Sequence, residues 1–310
     1  MREIGRFFSG FANRNGLPVA IYLLVAVSTW IFVLVILPQL TMFDFSFRHN
    51  LPLPKIGGPE DVHTLEQYRY FVMGNEITGG GVNTLDIAVL FKTLVAAVFV
   101  TIIDLAICYP VAYLLAQSSE GSAKRLLVLA LIVPFWVNEI LRAFAFRILF
   151  GATGVINGAG MQLGLWDAPI DFIGGNVALY AGLAYAYILL MIFPLYNAIE
   201  SLDRNQIEAA RDMGASWAQV HRRVVIPYAK PGIASGSTMV FMLTAGALAA
   251  PQILGGPSSL WFTQIIYQWF NSGGNWPRGS AYAVILLAIC IMFVLLIMRV
   301  FKVSIGEIGR

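Results

Sequence analysis

Three ionisable residues stand where ionisable residues are costly. Asp104 lies midway along one long apolar run, and Glu139 and Arg142 lie in the next, three residues apart and so on one helix face. An ionisable side chain near mid-bilayer costs about 2.5–3.5 kcal/mol on insertion scales, so each needs a partner or a watery cavity. On one reading, Glu139 and Arg142 neutralise each other while Asp104 pairs with an arginine of the adjacent helix. On the other, Glu139 faces a solute path with Trp136 and Asn138, where a carboxylate and an aromatic face attract an amine. A mixed set of Asp104, Glu139 and Arg142 suits a zwitterionic, amino-acid-like solute equally. Lys92, at the end of its run, can snorkel to the surface.

Catalytic chemistry finds no foothold. The sequence has no His-Glu-x-x-His, no Gly-x-Ser-x-Gly and no Walker A pattern. His49, His63 and His221 are too far apart to be grouped as metal ligands by spacing. The expectation is therefore no catalytic residue, no metal and no cofactor in this chain. Energy for any transport has to come from a partner or an ion gradient.

These residues need helices to hold them. Of 310 residues 58% are hydrophobic and only 12% charged, against about 25% charged in a soluble domain. With apolar runs near 20 residues, that composition reads as an all-α, multi-pass membrane protein whose solvent is the lipid bilayer. A net charge of +3 without a dense basic patch excludes nucleic acid as a partner. Cys108 and Cys290 sit in apolar runs and read as small buried hydrophobes.

Six segments are long and apolar enough to span: 18–38, 90–116, 126–150, 177–200, 232–254 and 281–301. The first is long enough to remain as an anchor rather than a cleaved signal. Thirteen Lys and Arg fall in the termini (1–17 and 302–310, with Arg299 at the end of the last span) and the loops at 117–125 and 201–231; four fall in the other three loops. The positive-inside rule places both termini and the 201–231 loop in the cytoplasm. On the opposite side, loop 39–89 contains "HTLEQYRYFVMG", a short amphipathic helix with Thr64 as N-cap and Gly74 as stop. The stretch "LGGPSSLWFTQIIYQWF" reads as an interfacial helix or a re-entrant element.

Loop 201–231 is polar and patterned. Asp203 can cap a first helix, Gly214 breaks the chain, and Ser216 with Gln219 forms a capping box for a second. Pro227 and Pro231 close it. Ile207, Ala210, Gly214, Trp217, Val220 and Val224 recur at three- or four-residue steps, giving one apolar and one charged face. Such a hairpin lies on the inner membrane surface or docks a cytoplasmic protein.

The residues 208–227, "EAARDMGASWAQVHRRVVIP", resemble the Glu-Ala-Ala loop of ABC-importer permeases, with Glu208, Ala209, Ala210, Gly214, Val224, Ile226 and Pro227 in register. "PFWVNEILRAFAF" (134–146), "GVIN" (154–157), "PQILGGPSS" (251–259) and "NWPRGSA" (275–281) are similar to the first permease of spermidine/putrescine-type importers. The resemblance covers most of 85–300. It implies a type I importer permease fold with six transmembrane helices in a bacterial inner membrane. Its loop would form coupling helices that sit in a cleft of the ATPase, through Glu208, Ala209, Ala210, Gly214, Trp217, His221 and Pro227. The implied partners are a second homologous permease, two ATPase subunits carrying ATP and Mg, and a periplasmic solute-binding protein. Two positions depart from the pattern: His221 stands where Phe is usual, and "GALAAP" before Pro251 lacks a common acidic residue. The expected activity is ATP-driven import of a small polar solute, a polyamine first and an amino-acid-like amine second. An ion-coupled secondary transporter is the rival from another class; it would carry internal repeats with paired broken helices, and no such symmetry is legible here.

Overall fold

The computed structural model describes residues 16–55, 57–74, 81–118 and 121–304. The terminal segments 1–17 and 302–310 therefore lie mostly outside the described residues. The named elements are helices. They are α1 Leu17–Phe45, α2 Glu66–Met73, α3 Thr84–Gln117, α4 Ser122–Ile132, α5 Glu139–Leu149, α6 Val155–Gln162 and α7 Val177–Glu200. The short helices α8 Arg204–Asp212 and α9 Trp217–Val220 follow, then α10 Lys230–Ala245, α11 Ala249–Leu254, α12 Phe262–Phe270 and α13 Trp276–Phe301. Among the described residues four helices, α1, α3, α7 and α13, are long and apolar enough to cross a membrane.

The centre is built by α3, α7 and α10. Along α3, Ala96, Val100, Asp104, Cys108, Ala112 and Leu115 are buried at steps of four and three, one continuous stripe facing the other two helices. Between α7 and α10 the fit depends on missing side chains. A Cβ on Gly232 would lie 2.4 Å from the Pro194 carbonyl oxygen, and one on Gly236 would lie 2.8 Å from Met191 Sδ. Small residues let two helices approach to backbone contact where lipid offers no hydrophobic drive for association. In contrast, α1 is exposed along nearly its whole length and reaches the bundle through its last turns against α13.

Two of the expected spans are not single helices. Segment 126–150 is α4, a 3-10 turn Val133–Trp136, and then α5. Pro134 has no N–H to continue the ladder, and Asn138 starts a new helix by accepting the Ile140 N–H at 2.9 Å. Segment 232–254 stops at Ala245, turns through Gly246 and restarts as α11. Pro251 is the third residue of α11, where its missing N–H would have had no partner anyway.

Two further prolines are absorbed differently. Pro38 in α1 and Pro227 in the returning arm of the polar hairpin are each preceded by a π-turn, Phe32–Ile36 and His221–Val225. There the Leu37 N–H reaches the Phe32 carbonyl and the Ile226 N–H reaches the His221 carbonyl, five residues back. Widening the turn gives the proline ring room that an α-turn denies it.

At the end of the bundle away from the hairpin, the cap position of α2 is Leu65 and not Thr64, whose Oγ1 accepts the Glu66 N–H at 3.2 Å from one residue earlier, and Gly74 ends α2 with φ 68°. Arg278 pins α2 to the bundle: its guanidinium lies 3.5 Å from the Tyr70 ring centre and donates to Gln67 Oε1 at 3.1 Å. The aromatic residues at the start of α12 pack into the bundle. Trp261 is 1% exposed and donates its Nε1–H to the Thr244 carbonyl, while Phe262 stacks on Tyr282 with ring centres 5.5 Å apart.

Candidate functional site

Two regions carry the polar side chains that the packing does not require. The first is the hairpin 201–231. Its helices start as the sequence indicates: Asp203 accepts the Asn205 N–H at 3.0 Å, and the Ser216–Gln219 box closes with both hydrogen bonds formed. Gly214 has φ 77°, a left-handed conformation that other L-residues rarely adopt, and it lets α8 fold back onto α9.

The hairpin has two faces. Ile207, Ala210, Val220 and Val225 are buried against the bundle. Glu208, Ala209, Gly214 and Pro227 are exposed, as are two large apolar side chains, Met213 at 82% and Trp217 at 66%. Of the seven loop residues singled out from sequence, five thus point outward, while Ala210 and His221 point in.

His221 is the inward surprise, only 5% exposed. Its Nδ1 is hydrogen-bonded to the Tyr109 hydroxyl at 2.6 Å, and its ring centre lies 4.4 Å from Tyr113 and 4.0 Å from Trp217. Burial, with the Arg211 charge as a smaller cause, holds the imidazole below its ordinary 6.5, so it is neutral at neutral pH. The sequence signal that could have found its socket is the Tyr109/Tyr113 pair, four residues apart on one face of α3.

Three further anchors tie the hairpin down. Arg204 donates to the Ala116 and Ser118 carbonyls at 3.3 and 3.2 Å, satisfying the end of α3. Tyr228 OH donates to the Ser201 carbonyl at 2.9 Å, closing the hairpin across its base. Beside it, Lys124 at the start of α4 pairs with Glu200 at the end of α7 at 2.8 Å, and Tyr196 donates to the same carboxylate. Spacing gave no warning of this pair, whose partners are far apart in sequence.

The second region is the polar set of the apolar segments, and it divides. Trp136, Asn138 and Glu139 are exposed around the N-terminus of α5, Trp136 at 81%. Glu139 accepts a long hydrogen bond from Tyr187 OH at 3.5 Å. Half-buried Arg142 turns elsewhere: it donates to the Ala186 carbonyl at 3.5 Å and lies over Phe135 and Tyr185, at 5.1 and 6.0 Å from their centres. Asp104 is 0% exposed, and neither carboxylate oxygen has a hydrogen-bond partner. Among the described residues no ion pair joins Glu139, Arg142 or Asp104 to an opposite charge, which overturns the reading in which they neutralise one another. Helical spacing put Glu139 and Arg142 on one face, but Tyr187 and the Ala186 carbonyl compete for them.

Comparison with known proteins places these features in a family. Residues 87–303 match the family model described as "binding-protein-dependent transport system inner membrane component". The chain is 33% identical over 220 residues to the spermidine/putrescine transport system permease protein PotB of Haemophilus influenzae, covering 71% of this chain and 77% of that one. It is 31% identical to PotB of Escherichia coli K12, with coverages of 89% and 96%. Among solved structures, a bacterial ABC transporter involved in the import of the acidic polysaccharide alginate contains a chain of the same fold. Its TM-score is 0.69 at 14% identity, covering 94% of this chain and 97% of that one. A chain of the MetNI methionine ABC transporter matches with a TM-score of 0.52 at 22% identity, over 70% and 95%. On the extent of the family match and the identity to its curated members, this chain belongs to the inner-membrane components of binding-protein-dependent transport systems.

Proposed function

We propose that this chain is one of two homologous permeases in an ATP-driven importer that carries a small amine of the polyamine class. The observation that carries the reading is the hairpin 201–231, which is firmly anchored on α3 yet presents Glu208, Met213, Gly214 and Trp217 outward. An isolated chain has no use for Met213 at 82% and Trp217 at 66% exposure on a polar loop. They form the knob that seats in the cleft of a partner ATPase, which binds ATP and Mg and does the hydrolysis. On this reading the chain itself needs no cofactor site and no catalytic group.

Six crossings follow if α4 with α5, and α10 with α11, each count as one interrupted span beside α1, α3, α7 and α13. Both termini and the hairpin are then cytoplasmic, with thirteen of the chain's 20 Lys and Arg on that side. A periplasmic solute-binding protein delivers the solute to the opposite face. Interrupted spans are also what an ion-coupled transporter builds its site on, but membership of a binding-protein-dependent family favours ATP drive. Polyamine as the solute is supported by the names of the relatives and by exposed Glu139 beside Trp136, a carboxylate and an aromatic face offered to an ammonium group. Uptake of labelled putrescine, spermidine and a set of amino acids by the reconstituted importer tests this. Uptake of a polyamine supports the reading; uptake of an amino acid alone removes polyamine as the solute.

A further inference from the structure

We propose that Tyr109 and His221 form the linkage through which movement of the hairpin reaches α3, with His221 acting as a positioning residue that faces the membrane helix and not the ATPase. This rests on the importer reading above and names the part of the hairpin that would transmit the motion. His221 sits where the returning arm of the hairpin meets the bundle. Its ring fills a socket between Tyr113 and Trp217, with centres 4.4 and 4.0 Å away, and the Tyr109 hydroxyl closes the third side at 2.6 Å. Trp217 is therefore shared: 66% exposed on one side, in tilted contact with the His221 ring on the other. A push on the exposed side of Trp217 is delivered to the His221 ring, and through it to α3.

The two tyrosines grip α3 at a weak point. Tyr109 and Tyr113 straddle Pro110, the proline inside α3, which cannot donate to the carbonyl four residues back at Ala106. A lateral displacement there bends α3 instead of shifting it whole. On the hairpin side, His221 opens the π-turn His221–Val225, and its carbonyl takes the five-residue hydrogen bond from Ile226. A π-turn holds one residue more than an α-turn and can take up a shift of register. The linkage thus joins two deformable points, one in each element. Asp104, a buried carboxylate with no hydrogen-bond partner, lies five residues from Tyr109 on the same helix, so bending at Pro110 changes the surroundings of a group that gains from new ones.

The hydrogen bond keeps the socket shut between a buried imidazole and a half-buried tyrosine. Removing one partner strands the other, whereas removing both leaves an apolar socket of nearly the same volume. The test uses the whole importer in proteoliposomes, with solute uptake and ATP hydrolysis measured together and ATPase association measured by co-purification. Tyr109→Phe and His221→Phe are each expected to keep ATPase association and hydrolysis within about twofold while solute moved per ATP falls about tenfold. The double variant is expected to return to within about threefold of the unaltered chain. Single variants that move solute per ATP at the unaltered ratio would overturn the linkage. So would a parallel loss of association, hydrolysis and uptake without recovery in the double variant, since that is the behaviour of a residue needed only for folding. If the unaltered chain fails to associate with any ATPase, the importer reading itself falls, and the two failures are told apart.

Discussion

Lys124 and Glu200 meet at 2.8 Å across the ends of α4 and α7, and their surroundings are unequal: the lysine side chain is 9% exposed and the glutamate 41%. The asymmetry predicts an asymmetric response. Glu200→Ala takes one partner from a nearly buried ammonium and should cost more than Lys124→Ala, which leaves a glutamate that water can reach. Thermal unfolding of the purified chain in detergent, comparing the two variants, checks the order. Equal shifts would mean that the pair contributes only as a surface contact.

Gly232 and Gly158 make a second comparison. A Cβ at Gly232 meets backbone at 2.4 Å, while one at Gly158 meets nothing within 4 Å. Gly232→Ala is expected to separate α10 from α7 at a cost of about 1–3 kcal/mol and to lower the amount of folded protein. Gly158→Ala is expected to be tolerated, and size-exclusion profiles of both variants report the difference.

The pH dependence follows from His221. Burial and the Arg211 charge lower its folded pKa below the ordinary 6.5, so the folded state prefers the neutral ring. Its contribution to stability is complete above pH about 6.5 and is lost as the pH falls below that value toward the lowered folded one. The groups around the ring are Tyr109 and Tyr113 of α3, Trp217, and Arg211 of α8. Melting temperature measured from pH 7.5 down to 5.5 should fall, and the part due to this residue should disappear in His221→Phe.

Asp104 and Glu139 were grouped by sequence as residues of one path, and the structure separates them into an enclosed and an exposed carboxylate. Glu139→Gln should reduce uptake by about tenfold without changing the amount of membrane protein, as expected for loss of a charge that attracts an amine. Asp104→Asn should raise thermal stability, since it removes a fully buried carboxyl group with no hydrogen bond to offset its desolvation. Uptake and melting curves on both variants would show whether the division is functional.

Much of this architecture is written in local sequence. Apolar runs mark α1, α3, α7 and α13; Asp203, Gly214, Ser216 and Gln219 mark the turns of the hairpin through capping and a positive φ, which depend on near neighbours alone. Residues that act across the fold were not legible. The breaks at Pro134 and Gly246 look tolerable within an apolar run, because hydropathy records composition and not hydrogen-bond continuity. The socket of His221 needs Tyr109 from a helix more than a hundred residues earlier, and the burial of Trp261 depends on the Thr244 carbonyl. Glu139 and Arg142 illustrate the converse: spacing allows a pair, and competing partners on α7 prevent it.

The docking role of the hairpin can be read from a single cysteine. Cys108 and Cys290 are buried, so Met213→Cys, at a position 82% exposed, would carry the accessible thiol of the described residues. In the assembled importer this thiol should form a cross-link with the ATPase subunit, while His221→Cys, at a position 5% exposed, should not. A Met213→Cys chain that transports solute normally yet cross-links to no ATPase, or cross-links to the solute-binding protein instead, would contradict the assignment.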